Sequence, residues 1–212
     1  MSKPMILKAG SRINLPANAT YTGGLGWDPR GGVGDSPDLD LWLFRQLSTG
    51  EQQVIAWCNK DWLRPDLGRN TEGNPFIATP ELDLVHKGDD RTGAESAEGY
   101  DENFDLDPTK APANVVGYTA FATIYDENDE GLTLGVAENI ICGIKDDRGR
   151  EVQVKLAEEY GFDVTVQLCS WAKDPASGLW VMHGSQKGYD QRDMFDVAIK
   201  DFGVVFPQHW IN

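Results

Sequence analysis

Apolar residues occur along the chain in short runs that alternate with polar positions, and few stretches show the longer spacing of an amphipathic helix. The runs are rich in Val, Ile, Thr, Phe, Tyr and Trp and are separated by glycines and prolines, a pattern typical of antiparallel all-β proteins. The predicted strands span residues 6–8, 21–27, 39–47, 53–58, 103–106, 115–125, 133–145, 151–155, 162–173 and 178–185. Because no strand is regularly followed by a long helix, the pattern predicts a two-sheet antiparallel β-sandwich rather than a parallel α/β fold.

The rest of the pattern predicts one short C-terminal helix and one surface insertion. Apolar residues recur at helical spacing over residues 191–201, and Gly203 follows them as a C-terminal cap. The length of 212 residues favours one domain, so we expect residues 1–212 to form a single β-sandwich domain. Residues 59–80 are polar and rich in Pro, Gly and Asn, and they lack clear periodicity, which predicts a surface insertion within that domain.

The charge of the chain is strongly negative and unevenly distributed. There are 34 acidic and 19 basic side chains, a formal charge of −15, which argues against binding to nucleic acid or to an anionic membrane surface. Residues 81–107 alone hold ten acidic and two basic side chains. Such a concentration of like charge repels itself unless it is solvated, disordered or neutralised by a cation, and composition alone does not choose among these three.

Other features narrow the class of protein. The start of the sequence lacks the apolar core of a signal peptide, and no stretch approaches the roughly 18 apolar residues of a membrane span, so we expect a cytoplasmic protein that does not insert into a membrane. The three cysteines are far apart and form no CxxC pair, which favours buried free thiols over a disulfide framework, a zinc site or a redox dithiol. No catalytic motif is present, so we predict no catalytic residues and no enzymatic activity.

Two aspartates, Asp38 and Asp40, stand at the start of the strand predicted over residues 39–47. If the strand includes both, its period of two puts the two carboxylates on the face that continues with Trp42 and Phe44. Carboxylates on such a face are costly unless a cation lies between them. The alternative is that both lie in the preceding loop and point into water, and spacing alone does not decide between the two.

A glycine-containing acidic stretch at residues 86–102 is the second candidate site. Gly88, Gly93 and Gly99 allow a loop to curl tightly, so that carbonyl and carboxylate oxygens can converge. Hard oxygen donors in a flexible anionic loop suit Ca²⁺, whereas Mg²⁺ is the weaker candidate because it demands stricter octahedral geometry.

Two further interpretations of the acidic residues are weaker. Residues 126–131 superficially suggest the opening of an EF-hand, but Ala137 would then occupy the twelfth position, so a hairpin turn is the better interpretation. Paired carboxylates such as Asp101 and Glu102 could also serve as acid and base in a glycosidase. In so dense a cluster, metal ligation or simple exposure to solvent is favoured over catalysis.

Several separated stretches resemble motifs of the TerD family of tellurium-resistance and stress proteins of bacteria. The main ones are ILKAGSRINL at residues 6–15, GLGWD at 24–28, DLD at 38–40, and GDDRTG at 88–93 followed by DE at 101–102. Three later segments also follow the family's pattern: 133–139, 178–189 and 202–204. The match runs in order along nearly the whole chain, which makes it more specific than any single motif.

The resemblance implies a β-sandwich that binds one or two Ca²⁺ ions in its acidic loops. Carried over by position, the implied metal ligands are Asp38, Asp40, Asp89, Asp90, Asp101 and Glu102. Asp28 and Asn59 are weaker candidates. The residues Gly88, Thr92 and Gly93 are expected to shape the loop or to offer carbonyl oxygens.

The resemblance also implies a role in resistance to tellurite and other stresses, including phage and pore-forming toxins, within multi-protein assemblies near the inner membrane. We therefore predict a non-enzymatic Ca²⁺-binding stress module whose partners are other proteins of such an assembly. A structural or assembly protein of a mobile element or virion is the main alternative, and a hydrolase is the less favoured one. Direct chemistry on tellurite is not expected, because the sequence has no redox cofactor motif or CxxC pair.

Overall fold

The computed structural model describes residues 3–16, 18–30, 37–88, 100–125 and 131–211. Fourteen strands within these ranges form two sheets, which confirms the predicted all-β class. The strands are β1 (Met5–Ile6), β2 (Arg12–Asn14), β3 (Tyr21–Pro29), β4 (Asp38–Leu47), β5 (Gln52–Ile55), β6 (Leu63–Arg69), β7 (Pro75–Ala78), β8 (Leu84–His86), β9 (Glu102–Leu106), β10 (Val115–Tyr125), β11 (Ala137–Asp146), β12 (Glu151–Lys155), β13 (Thr165–Lys173) and β14 (Trp180–Gly188).

The two sheets pack face to face as a sandwich. The eight-stranded sheet has the order β1-β12-β11-β3-β9-β8-β7-β6, and the six-stranded sheet has the order β2-β14-β13-β10-β4-β5. Neighbouring strands are antiparallel except for β1 and β12, which pair in parallel. The inner faces of both sheets contribute to one hydrophobic core, for example Leu25 and Ile144 from one sheet and Leu43 and Leu168 from the other.

A second apolar cluster covers the outer face of the six-stranded sheet. Side chains alternate along β4, so that its leucines belong to the inter-sheet core, whereas Trp42 and Phe44 belong to the outer cluster. Helix α1 (Met194–Phe202) lies over them, with ring centroids 5.0 Å apart between Phe195 and Trp42 and 5.4 Å apart between Phe202 and Phe44. These edge-to-face aromatic contacts fix the helix on the sheet.

The predicted C-terminal helix is confirmed, although it begins at Met194 rather than three residues earlier. Asp193 is its N-cap, and the carboxylate accepts a hydrogen bond of 2.8 Å from the Asp196 amide. Gly203 ends the helix in the left-handed conformation, with φ of +66°, as its position in the sequence predicted. A four-residue helix that was not predicted, α2 (Gln208–Ile211), follows it. In the part of the chain that the structure describes, no helix has the length and apolar character needed to cross a membrane.

Asp193→Ala is expected to destabilise the fold by about 1 kcal/mol, because the first turn of α1 loses the acceptor for its Asp196 amide. The melting temperature measured by circular dichroism should fall by about 2–4 °C for a chain of this size. Asp193→Asn keeps a capping oxygen and should melt much closer to the unsubstituted protein. Equal losses for the two substitutions would contradict a capping role.

Residues 59–80, predicted as a surface insertion, contain two strands that the sequence pattern missed. β6 and β7 pair with each other, and β7 pairs with β8, so that β6 becomes an edge of the eight-stranded sheet. No position of β6 is fully buried, and the strand contains Pro65 and Gly68. An exposed edge strand needs neither alternation nor an apolar run, so it leaves no periodic signal in the sequence.

Candidate functional site

Six strand ends meet at one end of the sandwich, which we call the loop end. It comprises the C-terminal ends of β3, β8 and β10 and the starts of β4, β9 and β11, as shown by the pairing of Asp38 with Tyr125 and of Leu25 with Glu102. Three connections leave and re-enter the sandwich here, and they lie outside the described residues: 31–36, 89–99 and 126–130.

Negative charge is concentrated at the loop end. The three connections together carry nine acidic side chains and one basic side chain. Four further acidic residues, all of them predicted metal ligands, stand at the starts of the adjoining strands: Asp38, Asp40, Asp101 and Glu102. Like charges brought to one end of a molecule repel each other unless they are solvated or neutralised by a cation.

The first acidic pair belongs to a strand rather than to the preceding loop. β4 begins at Asp38, and the side chain of Asp40 is only 5% exposed. Asp40 lies on the outer face of the six-stranded sheet, where it lines a cavity of about 520 Å³ together with Trp42, Trp57 and Phe195. The alternative in which both carboxylates point into water is therefore wrong for Asp40. A carboxylate buried beside aromatic rings requires hydrogen bonds or a cation.

The second acidic pair is bonded to the backbone of neighbouring strands. The Trp27 amide donates a 2.8 Å hydrogen bond to Asp101 Oδ2, and the Leu41 amide donates to Glu102 Oε2. Trp27 also bonds from its indole Nε1 to the carbonyl oxygen of Pro37 at 2.9 Å. These three bonds join β3, β4 and the start of β9, so Asp101 and Glu102 hold fixed positions between the two sheets.

His86 completes the attachment of β4 to the eight-stranded sheet. Its Nε2 lies 3.1 Å from the Leu41 carbonyl oxygen, and its Nδ1 accepts a hydrogen bond of 3.1 Å from the Gly88 amide. These partners assign the proton of the ring to Nε2, which donates to Leu41. His86 and Glu102 thus bond the carbonyl and the amide group of the same residue, Leu41. The pairing of β4 with β5 extends only as far as Leu43, so it does not include Leu41. The 89–99 connection is therefore anchored on β4 from both sides.

Tyr100, the residue that follows this connection, packs against glycines of β3 and β11. A Cβ atom on Gly24 would come within 2.4 Å of Tyr100 Cβ and of the Glu102 carbonyl oxygen, and one on Gly143 would come within 2.1 Å of the Tyr100 hydroxyl. That hydroxyl donates a 2.7 Å hydrogen bond to Glu151. Burial, together with this bond, raises the pKa of Tyr100 and keeps the hydroxyl protonated. The glycines of β3 and β11 are needed because Tyr100 packs directly on the backbone.

The donor chemistry of the loop end fits Ca²⁺, although the described residues do not complete a site. Within the described ranges, no group of three His, Cys, Asp or Glu side chains could hold a metal ion by itself. Asp40 lies on the outer face of its sheet, whereas Glu102 reaches β4 at the Leu41 backbone, so the two acidic pairs are separate. The predicted ligands Asp89 and Asp90 lie outside the described residues. The candidate side chains all offer hard oxygen donors of the kind that Ca²⁺ takes, and the connections would have to supply the remaining ligands.

The weaker candidates have other described partners. Asn59 donates a hydrogen bond of 2.6 Å to the Val54 carbonyl oxygen and accepts one of 3.2 Å from the Trp62 amide, so it caps a short 3-10 turn. Asp28 is exposed and accepts a 2.7 Å hydrogen bond from Asn139. Gly88 has a φ of +96°, consistent with the loop-shaping role expected of it. The other predictions for this region, the roles of Thr92 and Gly93 and most of the hairpin turn at 126–131, lie outside the described residues.

The sequence predicted no role for His86 or Tyr100, although both lie within the candidate stretch 86–102. His86 fits no metal-binding pattern, and its role depends on a backbone contact with a residue 45 positions away. The sequence did contain a signal for the packing of Tyr100, because the glycines at positions 23, 24 and 26 of β3 indicate that another group approaches the backbone closely. The sequence could not show which side chain makes that approach.

In sequence, the chain is similar to two proteins of Bacillus subtilis (strain 168). It is 26% identical to general stress protein 16U over 172 residues, which cover 76% of this chain and 79% of that protein. It is 24% identical to the uncharacterized protein YceE over 189 residues, which cover 86% of this chain and 90% of that protein. No family model matches the chain.

Two solved structures share the fold. A homologue of telluride resistance protein (TerD) from Streptomyces coelicolor A3(2) superposes with a TM-score of 0.59 at 13% identity, covering 84% of this chain and 95% of that one. SAV2460, a protein of unknown function, superposes with a TM-score of 0.59 at 16% identity, covering 85% and 95% of the two chains. The resemblance to the TerD family that the motifs predicted is confirmed.

Proposed function

We propose that this chain, a TerD-like β-sandwich similar in sequence to a general stress protein, is a non-enzymatic Ca²⁺-binding module of a stress response. The names of its relatives, one a general stress protein and one a homologue of a telluride resistance protein, support the stress role. The chain would act in the cytoplasm through other proteins of a stress-response assembly. No catalytic residue is assigned.

The observation that carries the Ca²⁺ part of the proposal is the anchorage of the acidic 89–99 connection at both ends. On one side His86 bonds Leu41 and Gly88, and on the other side Asp101 and Glu102 bond the backbone of β3 and β4. Because both ends of the connection are held in buried contacts, the distance that it must span is fixed. The entropic cost of gathering ligands around an ion is lower for such a connection than for a free one.

Bound Ca²⁺ would supply positive charge and a coordination centre where carboxylates otherwise repel each other. Two ions would change the formal charge from −15 to −11, since each adds two positive charges. The local consequence is larger than the total suggests, because the acidic residues lie together at the loop end. Residues 34–40 and 88–102 would be ordered against each other and would present a surface to partner proteins in the Ca²⁺-loaded state.

Ca²⁺ should raise the melting temperature of the metal-stripped protein, and a chelator should reverse the rise, because the folded chain holds the ligands together. At a free Ca²⁺ concentration about a hundredfold above the dissociation constant, binding stabilises the fold by about 2.7 kcal/mol, or about 5–10 °C. Mg²⁺ should give a smaller shift. The absence of a shift at millimolar Ca²⁺ would refute the proposal.

Size-exclusion chromatography with and without Ca²⁺ tests the alternative of a structural or assembly protein. The elution volume of a constitutive assembly should not depend on the ion.

Asp40→Asn and Asp101→Asn test the assignment of the ligands, since Asn keeps the size and an acceptor oxygen but removes the charge. Each is expected to weaken Ca²⁺ binding about tenfold or more, and Asp101→Asn should keep the bond from the Trp27 amide. Asp66→Asn on the exposed edge strand is the matched control, and it should bind Ca²⁺ nearly as the unsubstituted protein does. Equal losses in all three variants would show that the ligands are misassigned.

A further inference from the structure

Cys142 and Cys169 are in contact inside the sandwich, although 27 positions separate them in the sequence. Cys142 belongs to β11 of the eight-stranded sheet, and Cys169 belongs to β13 of the six-stranded sheet. Their Sγ atoms lie 3.6 Å apart, and both side chains are fully buried in the inter-sheet core. Both are free thiols, as is Cys58. The pair therefore spans the space between the two sheets.

A bulge in β13 directs Cys169 towards its partner. The register of β13 shifts between Gln167 and Cys169 against β14, and it also shifts at the same place against β10. Leu168 and Cys169 are consecutive residues, yet both are buried in the inter-sheet core. A regular strand would have sent one of them to the opposite face, so the bulge is what brings Cys169 into the core.

We propose that Cys142 and Cys169 are a site of oxidative modification, at which the two thiols form a reversible disulfide between the sheets. The sulfur atoms must close from 3.6 Å to about 2.05 Å, and rotation of the two side chains beside an irregular strand can supply that movement. An inter-sheet disulfide is also a feature of antibody domains, which are β-sandwiches of a different topology. The inference does not depend on Ca²⁺ binding.

The oxidant is a peroxide, and the reaction balances in two steps. The thiolate of one cysteine attacks a peroxide oxygen, the O–O bond breaks, and a sulfenic acid forms with release of water after proton transfer. The sulfur of the other cysteine then attacks the sulfenic sulfur, the S–O bond breaks, and a second water leaves. Overall the two thiols lose two protons and two electrons, and one hydrogen peroxide is reduced to two waters. A thiol reductant reverses the cross-link.

Burial controls the rate of this reaction. Burial raises the pKa of the Cys169 thiol, and its contact with Cys142 raises that pKa further, so that little thiolate is present at neutral pH. Both side chains are inaccessible in the closed sandwich, so oxidant reaches them when the core opens locally. The cross-link should therefore form over minutes to hours, in response to sustained rather than brief oxidation.

Mass spectrometry of the full-length protein tests the proposal. Reduced protein is incubated with hydrogen peroxide under native conditions, and the peroxide is then removed. The remaining thiols are alkylated in denaturant, and the intact mass and the non-reduced tryptic peptides are measured. We expect a monomer that has lost two hydrogens, with a cross-link between the peptides containing Cys142 and Cys169 and with Cys58 alkylated. Dithiothreitol should restore the original mass. A cross-link that forms only in denaturant, a link between two molecules, or oxidation to sulfinic acid without a link would overturn the proposal.

The third cysteine provides a matched control. Cys58 is also fully buried, and burial raises its pKa to about 12, but it belongs to the outer cluster under α1. Cys58→Ala should retain the cross-link, whereas Cys142→Ala should abolish it and leave Cys169 reduced. The cross-linked wild-type protein should melt about 5–10 °C higher, because the bond constrains the unfolded chain. A cross-linked protein that melts no higher would overturn this stabilising consequence.

Discussion

Gly24→Ala is expected to destabilise the protein by about 3 kcal/mol, or to lower its melting temperature by about 6–12 °C. The added methyl group would lie 2.4 Å from both the Glu102 carbonyl oxygen and Tyr100 Cβ, and a backbone carbonyl cannot move aside as a flexible side chain can. To relieve these clashes, either β9 must shift away from β3 or Tyr100 must move off the glycines. Because both responses displace the start of β9, Ca²⁺ binding should weaken together with stability.

Gly26→Ala is the matched control for this substitution. Gly26 lies two residues further along the same strand, so its added methyl group would point to the same face of the sheet. The nearest atoms would be Ile141 Cγ1 and Tyr100 Cδ1, both at 3.5 Å, which is ordinary van der Waals contact. We expect a change in melting temperature of no more than about 2 °C. Similar melting temperatures for the two variants, measured by scanning calorimetry, would contradict the tight packing of Tyr100 on β3.

Glu102→Ala should be similarly destabilising, at about 3 kcal/mol. The side chain is 1% exposed and accepts the Leu41 amide, so its removal leaves a buried donor without an acceptor and opens a cavity. His86 lies 3.7 Å from the same carboxylate and would lose a neighbour that fixes its position. Denaturant unfolding followed by tryptophan fluorescence would measure the loss.

Glu102→Gln separates the structural role of this residue from its role as a ligand. The amide oxygen of Gln can still accept the Leu41 amide, so the free energy of unfolding without Ca²⁺ should change by less than about 1 kcal/mol. Removal of the charge should nevertheless weaken Ca²⁺ binding about tenfold or more. If Glu102→Gln binds Ca²⁺ as tightly as the unsubstituted protein, Glu102 holds β4 in place and is not a ligand.

The elements with a clear hydrophobic pattern were predictable from the sequence. The alternation along β4 correctly placed Trp42 and Phe44 on the same face as Asp40, and Gly203 marked the end of the helix. The edge strand β6 was missed because an exposed edge strand carries no periodic signal, and the four-residue β7 is too short to show one. The bulge at Cys169 was also hidden, since a register shift depends on how neighbouring strands pair.

The candidate site was predictable in its residue types but not in its arrangement. The spacing of Asp38 and Asp40 and the family motifs indicated acidic ligands, and the structure places Asp40 in a buried position that a loop would not give it. The contacts of His86 with Leu41 and of Tyr100 with the glycines link residues that are distant in sequence. Such contacts arise from strand order, which a single sequence does not specify.

Isothermal titration of the metal-stripped full-length protein with Ca²⁺, and separately with Mg²⁺, is the most direct test for a Ca²⁺ site. We expect saturable binding of one or two Ca²⁺ ions per chain, weaker binding of Mg²⁺, and a clear loss of affinity in Asp101→Asn but not in Asp66→Asn. The absence of saturable heat with millimolar Ca²⁺ would contradict a Ca²⁺ site at the loop end. Equal affinities for the two metals, unchanged in Asp101→Asn, would contradict it as well.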